Sequence, residues 1–149
     1  MLDDIILAAE DEPVDAMMIK RAFSKAGISH KLHLVEDGDA VIDYLTGTNT
    51  YADREQYPLP VLLLLDLKLP RRSGLEILEW LRQQPGLRRM PVVVLTSSRQ
   101  SIDVTRAYDL GANSYLVKPV EFTALIDIMK TLGLYWLVLN EKPQIDEHV

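Results

Sequence analysis

Val61-Leu62-Leu63-Leu64-Leu65 is the most apolar stretch of the chain, and it stops at a carboxylate, Asp66. A short aliphatic run bounded by turn residues reads as a buried strand. An Asp placed straight after such a strand stands at the rim of a sheet, between core and water. In open α/β sheets, ligands bind at that carboxyl end. Taken alone, Asp66 could equally cap the helix that follows or begin a turn.

The rest of the chain repeats the same grammar. Ile5 to Ala9 is a buried strand, followed by Glu10-Asp11-Glu12-Pro13 and a helix to about Ala26, closed by Gly27. Lys31 to Val35 alternates polar and apolar residues, as a half-exposed strand does. Glu36-Asp37-Gly38-Asp39 turns into a helix over Ala40 to Leu45. Residues 47–60, rich in Thr, Asn, Asp and Pro, read as a long surface connection. Gly74 to Gln83 has helical spacing at Leu75, Ile77, Leu78 and Leu81, and Pro85-Gly86 stops it. Val92 to Leu95 is a fourth strand, running into Thr96-Ser97-Ser98. Ile102 to Leu110 is a helix, Ser114 to Val117 a fifth strand ending at Lys118-Pro119, and Glu121 to about Leu139 a last helix. Residues 144–149 read as a frayed tail. Five alternations of strand and helix predict an α/β fold, a parallel sheet with helices on both faces. One domain over 1–140 with a tail over 141–149 accounts for the length.

That topology gathers the chemistry. The first strand ends at Glu10 and Asp11, the third at Asp66, the fourth at Thr96 and the fifth at Lys118. In a parallel sheet these ends share one edge. Three carboxylates held together raise one another's pKa unless a cation intervenes. Hard oxygen ligands suit Mg²⁺, which takes one or two carboxylates and leaves room for phosphate oxygens. Lys118 offers a point charge for a phosphoryl group and Thr96 a hydroxyl donor. No base-activated His, Cys or Ser stands here, so the nucleophile on offer is a carboxylate, which would form an acyl phosphate.

Composition removes other classes. There is no cysteine, so disulfides, thiol catalysis and cysteine metal sites are excluded. A net charge of −6 argues against direct nucleic-acid binding. Met1-Leu2-Asp3-Asp4 lacks the basic start of a signal peptide, and the apolar stretch Leu132 to Leu139 is too short to span a bilayer. A cytoplasmic protein is expected.

With these residues in view, the chain resembles a response-regulator receiver domain, over about residues 4–132. The resemblance is carried by Glu10-Asp11-Glu12-Pro13, by Asp66 in Leu-Asp-Leu-Lys-Leu-Pro with Gly74 beyond, by Thr96-Ser97, and by Tyr115-Leu116-Val117-Lys118-Pro119. The spacings, 30 residues from Asp66 to Thr96 and 22 from Thr96 to Lys118, fit the family as well. The resemblance implies a doubly wound, five-stranded, flavodoxin-like (βα)5 fold. It implies that Asp66 accepts a phosphoryl group from a phosphohistidine on a histidine kinase. Asp11 and Asp66 would bind Mg²⁺ directly, Glu10 largely through water, and Lys68 through its backbone carbonyl. Lys118 would pair with Asp66 and then with the phosphoryl oxygens. Thr96 would swing to the phosphoryl group and Tyr115 would turn inward behind it. The Lys118–Pro119 bond would be cis. Lys68 and Ser98 flank the pocket where the family varies, and should influence how long the phosphate lasts.

The 47–60 connection and Leu134-Tyr135-Trp136-Leu137 are similar to the stand-alone regulators of phytochrome-type histidine kinases. The last helix carries apolar residues on more than one face. They would be covered by a second copy, giving a homodimer, or by the helix end folding back on its own core. Such a protein is a phosphoacceptor that signals by altered binding and is no enzyme beyond its own phosphorylation and dephosphorylation. Three other readings compete. A receiver fold kept as a binding module would predict a broken pocket. An aspartyl-phosphate hydrolase would place an Asp where Lys68 stands. A flavodoxin-like cofactor binder would need a phosphate-cradling loop where Glu10-Asp11-Glu12 stands.

Overall fold

The computed structural model describes residues 3–146. Five strands, β1 (Ile5–Ala9), β2 (Lys31–Val35), β3 (Leu62–Leu65), β4 (Val92–Thr96) and β5 (Ser114–Val117), alternate with α1 (Pro13–Lys25), α2 (Gly38–Thr46), α3 (Gly74–Arg82), α4 (Ser101–Asp109) and α5 (Phe122–Leu132). The sheet is wholly parallel with strand order β2-β1-β3-β4-β5. The alternation predicts this parallel sheet, and the doubly wound five-stranded order is the one that the resemblance implies.

β3 is central, and all four of its residues are buried. Because a strand shows alternate residues to opposite faces, Leu63 and Leu65 join Leu7, Val92, Val94, Ile77 and Leu81 in one core cluster. Leu62 and Leu64 join Ile6, Ile19, Phe23, Leu125 and Met129 in the other. The helix starts agree with the local chemistry. The Glu12 side chain accepts from the Val14 N–H ahead of Pro13, Asp37 accepts from the Ala40 N–H, and Ser73 and Glu76 form a capping box. Gly74 is required by crowding, since a Cβ there would lie 2.3 Å from the carbonyl oxygen of Asp66.

Four expectations need correction. The 47–60 segment is exposed at 48–50, 52, 53, 55 and 56, as expected, but it is not solvated throughout. Tyr51, Tyr57 and Leu59 pack against the core, and Tyr44 is fully buried among them. The Tyr44 hydroxyl donates to the Pro58 carbonyl at 2.9 Å and meets His33 Nδ1 at 2.8 Å. Arg54 donates to the carbonyls of Tyr44, Leu45 and Tyr57, tying the segment to the last turn of α2. Second, the last helix reaches Leu139 as expected, its end Gly133–Leu139 being π-helical, but the apolar run is longer than Leu132–Leu139: Phe122–Leu139 has 18 residues. By length and composition alone it could cross a membrane, with a mean hydropathy of 1.5, whereas the apolar stretch from Leu132 is too short. Leu125, Met129, Leu132 and Leu137 of this run lie in the core beside α1.

Third, the tail is not frayed as far as residue 146. Ile145 packs on the core, the Asp146 N–H donates to the Gly86 carbonyl at 2.8 Å, and Arg89 donates to the Gln144 carbonyl. Lys142 pairs with Asp4 at 3.4 Å. Residues 147–149 of that expected tail lie outside the described residues. Fourth, Lys118–Pro119 is trans, as is every peptide bond among the described residues. Trans is the lower-energy form of an X–Pro bond by about 0.5–1 kcal/mol.

Tyr44→Phe should destabilise the protein by about 1–3 kcal/mol, because the Pro58 carbonyl and His33 each lose a buried partner. Urea unfolding measures this, and an unchanged midpoint would show that the hydroxyl bonds add nothing.

Candidate functional site

The backbone ladder continues past the strand ends and places each candidate side chain. The Glu10 N–H donates to Val35 O at 3.0 Å, the Asp66 N–H to Ala9 O at 3.2 Å, and the Lys118 N–H to Thr96 O at 2.8 Å. Ala9 is in register with Leu65, and Thr96 with Val117. Glu10, Asp66, Thr96 and Lys118 therefore share one edge of the sheet, as their spacing predicts.

Their side chains meet. Lys118 Nζ lies 2.8 Å from Asp66 Oδ2, 2.5 Å from Glu10 Oε1 and 2.9 Å from Asp15 Oδ2. The Thr96 hydroxyl donates to Asp66 Oδ1 at 2.8 Å, and the Lys68 N–H donates to the same oxygen at 3.2 Å. Glu10, Asp66 and Thr96 are all buried. Tyr115 is half-buried, packs on the core, and donates from its hydroxyl to the Ser98 carbonyl at 3.0 Å. Ser98 in turn donates to Asp103 on α4.

The electrostatics split the carboxylates. Burial by itself would raise the Asp66 carboxyl, but hydrogen bonds from Lys118 and Thr96 outweigh it and hold Asp66 below its ordinary range. Burial pushes Glu10 up to about 7; Lys118 opposes the rise and the Asp66 charge adds to it. Burial would lower Lys118, but its bonds to Asp66, Glu10 and Asp15 overcome this and hold the ammonium above its ordinary value.

Glu10, Asp11 and Asp66 each offer one carboxylate oxygen, and those atoms lie within 4.8 Å of one another. Glu10 and Asp66 are buried while Asp11 faces solvent, so the cluster has an open side. An all-oxygen, all-anionic donor set of this spacing fits a hard divalent cation. Lys68 is exposed, and its N–H is the group that engages Asp66.

Two features escape the sequence reading. Asp15, in the first turn of α1, is a third carboxylate on Lys118. It stands in the first turn of the helix that opens directly after Glu10-Asp11-Glu12, and that acidic first turn was the available signal. The β3–α3 loop is also clamped. Arg71 takes a left-handed φ of 70° and reaches Asp37 at 3.4 Å. Arg72 pairs with Asp39 at 3.0 Å, and the Gly38 N–H donates to Pro70 O.

The profile of the response regulator receiver domain family matches residues 6–130. The chain belongs to that family. A similar protein is the probable methanogenesis regulatory protein FilR2 of Methanothrix harundinacea, 40% identical over 139 residues, which are 93% of this chain and 87% of that one. Response regulator Rcp1 of Synechocystis sp. is 36% identical over 133 residues, 89% of this chain and 88% of Rcp1. The Mn²⁺-bound form of Rcp1 matches with a TM-score of 0.81 and 35% identity, over 94% of this chain and 99% of that one. The phosphorylated cyanobacterial phytochrome response regulator RcpA matches with a TM-score of 0.86 and 33% identity, over 95% of this chain and 99% of that one. The protein is thus a receiver-domain regulator related to phytochrome response regulators, a signalling protein and not a classical enzyme.

Lys118→Gln should leave the carboxylates uncompensated, at a cost of about 3–5 kcal/mol near pH 8. Without the ammonium, the folded-state pKa values of Glu10 and Asp66 rise above their unfolded values. Stability is then fully present at low pH and lost as pH rises through the raised values. Melting curves of this variant should improve from pH 8 to pH 5, and again on adding Mg²⁺. A variant that melts like the parent at pH 8 would contradict this account.

Proposed function

We propose that Asp66 is the phosphoacceptor of a single-domain response regulator in a two-component relay, and that Glu10, Asp11, Asp66 and the Lys68 carbonyl hold Mg²⁺. The observation that carries this reading is a buried carboxylate, bonded by Lys118 and Thr96, that is one of a three-carboxylate cluster with Glu10 and Asp11. An oxygen of Asp66 attacks the phosphorus of a phosphohistidine. The O–P bond forms as the P–N bond breaks, and the imidazole nitrogen departs with the electron pair. Mg²⁺, when bound, neutralises charge on the phosphoryl oxygens. Lys118 moves its donor bond from Asp66 Oδ2 to a phosphoryl oxygen. Thr96 already points inward, so its hydroxyl exchanges Asp66 for the phosphoryl group without the large swing a remote threonine would need. Tyr115, bonded to the Ser98 carbonyl, then carries the change to the surface of α4, β5 and α5.

In this reading the kinase is of the phytochrome type, which the likeness to Rcp1 and RcpA supports. Residues 1–140 act as one receiver domain in the cytoplasm, with 141–149 as its tail, and the protein works on protein partners and not on nucleic acid. Exposed Leu134, Tyr135, Val138 and Leu139 support a homodimer through the π-helical segment.

Incubation with Mg²⁺ and acetyl phosphate should add one phosphoryl mass to the parent and none to Asp66→Asn. Equal adducts on both proteins, or none on the parent with any phosphodonor, would favour a binding module that phosphorylation does not regulate. Sedimentation at tens of micromolar should show a dimer that Val138→Glu shifts toward monomer. A parent that stays monomeric with and without phosphorylation removes the dimer.

A further inference from the structure

Lys118 is held by more anions than a phosphoryl-transfer site of this kind needs. An ammonium has three N–H donors. Asp66 and Asp15 each accept one of them from Nζ, and the Glu10 carboxylate pairs with the same ammonium at 2.5 Å. Glu10 and Asp66 belong to the sheet edge and to the cation-binding cluster. Asp15 does not. It comes from the first turn of α1, its side chain is 42% exposed, and its carboxylate contributes no oxygen to that cluster. The Lys118 side chain is only 14% exposed, so its charge is directed mainly at these three groups.

Resting on the proposal that Asp66 is phosphorylated, we infer that Asp15 is a positioning residue that competes for Lys118 and thereby restrains phosphorylation of Asp66. Two effects point the same way. Asp15 occupies an N–H that would otherwise be free to meet a phosphoryl oxygen of the donor. It also adds a negative charge to a pocket that must admit an anionic phosphodonor. In formal charge, the carboxylates of Glu10, Asp11, Asp15 and Asp66 outnumber the charges of Lys118 and one divalent cation by one. Removing Asp15 cancels that excess. Exposure limits the size of the effect, because a pair open to water is screened.

The test follows the rate of adduct formation by intact mass, with phosphoramidate and saturating Mg²⁺. In this step the O–P bond to Asp66 forms as the donor's P–N bond breaks and the protonated nitrogen leaves as ammonia. The proteins compared are the parent, Asp15→Asn, Asp15→Glu and Asp66→Asn. Asp15→Asn should react about two- to fivefold faster than the parent, the range a partly exposed ion pair can supply. Asp15→Glu, which keeps the charge, should return toward the parental rate. The gain in Asp15→Asn should shrink as salt is raised, a readout that a merely structural role would not move. A parent that is phosphorylated at an unchanged or higher rate than Asp15→Asn overturns this inference alone. A parent that forms no adduct, or an Asp66→Asn variant that does, overturns the phosphoacceptor reading and this inference with it.

Discussion

One ammonium group, on Lys118, lets two buried carboxylates, Glu10 and Asp66, share one edge of the sheet, with Asp15 of α1 beside them. Desolvating an ion costs several kcal/mol even after relaxation. Glu10 and Asp66 are both buried, and neither would stay charged beside the other without a cation between them. Strand order makes the arrangement possible. The sequence β2-β1-β3-β4-β5 sets β3 between β1 and β4, with β5 on the far side of β4. The lysine must cross the end of β4 to reach Asp66, and it can do so because Thr96, at that end, is small. The threonine fills the gap and adds its own bond to Asp66.

The same cation divides two similar groups. Asp66 receives both the lysine and the threonine and is held low, whereas Glu10, more deeply dehydrated, rises from 4.5 to about 7. Their contributions to folding therefore run oppositely with pH. The depressed Asp66 adds stability above its unfolded pKa, and this is lost as pH falls through its folded value. The raised Glu10 adds stability that is fully present below 4.5 and is lost as pH rises through about 7. Nearby, the ion pairs of Arg71 and Arg72 with Asp37 and Asp39 hold the β3–α3 loop in place, including the left-handed turn at Arg71. Outside glycine such a conformation persists only when its surroundings enforce it.

Most of the fold was legible because local signals agreed. Val61 to Leu65 announces a buried strand, Pro13 opens a helix, and Gly27 closes one. Each strand end could then be read for its chemistry, which gave Glu10, Asp66, Thr96 and Lys118 their common edge. What stayed hidden depends on contacts between distant parts of the chain. Residues 47–60 look solvated because they are polar, yet Tyr51 and Tyr57 are drawn to Tyr44, and Arg54 finds carbonyls on α2. The tail looks loose because it lacks periodicity, yet Ile145 reaches an apolar site between elements far away in sequence. Asp15 looks like an ordinary acidic first-turn residue, favourable at a helix N-terminus for its own reasons. Only the path of Lys118 across the sheet shows its second use.

The tail has a consequence for how the molecule is wired. Lys142 pairs with Asp4, just before β1, so a residue close to each end of the described chain is held to the other. Linking neighbouring ends through a short bridge adds little closure entropy. The chain could then be circularly permuted and opened elsewhere, at an exposed turn remote from Lys118. The order in which the five strand–helix units are synthesised is thus separable from the order in which they sit in the sheet, and the latter brings Asp66 and Lys118 together.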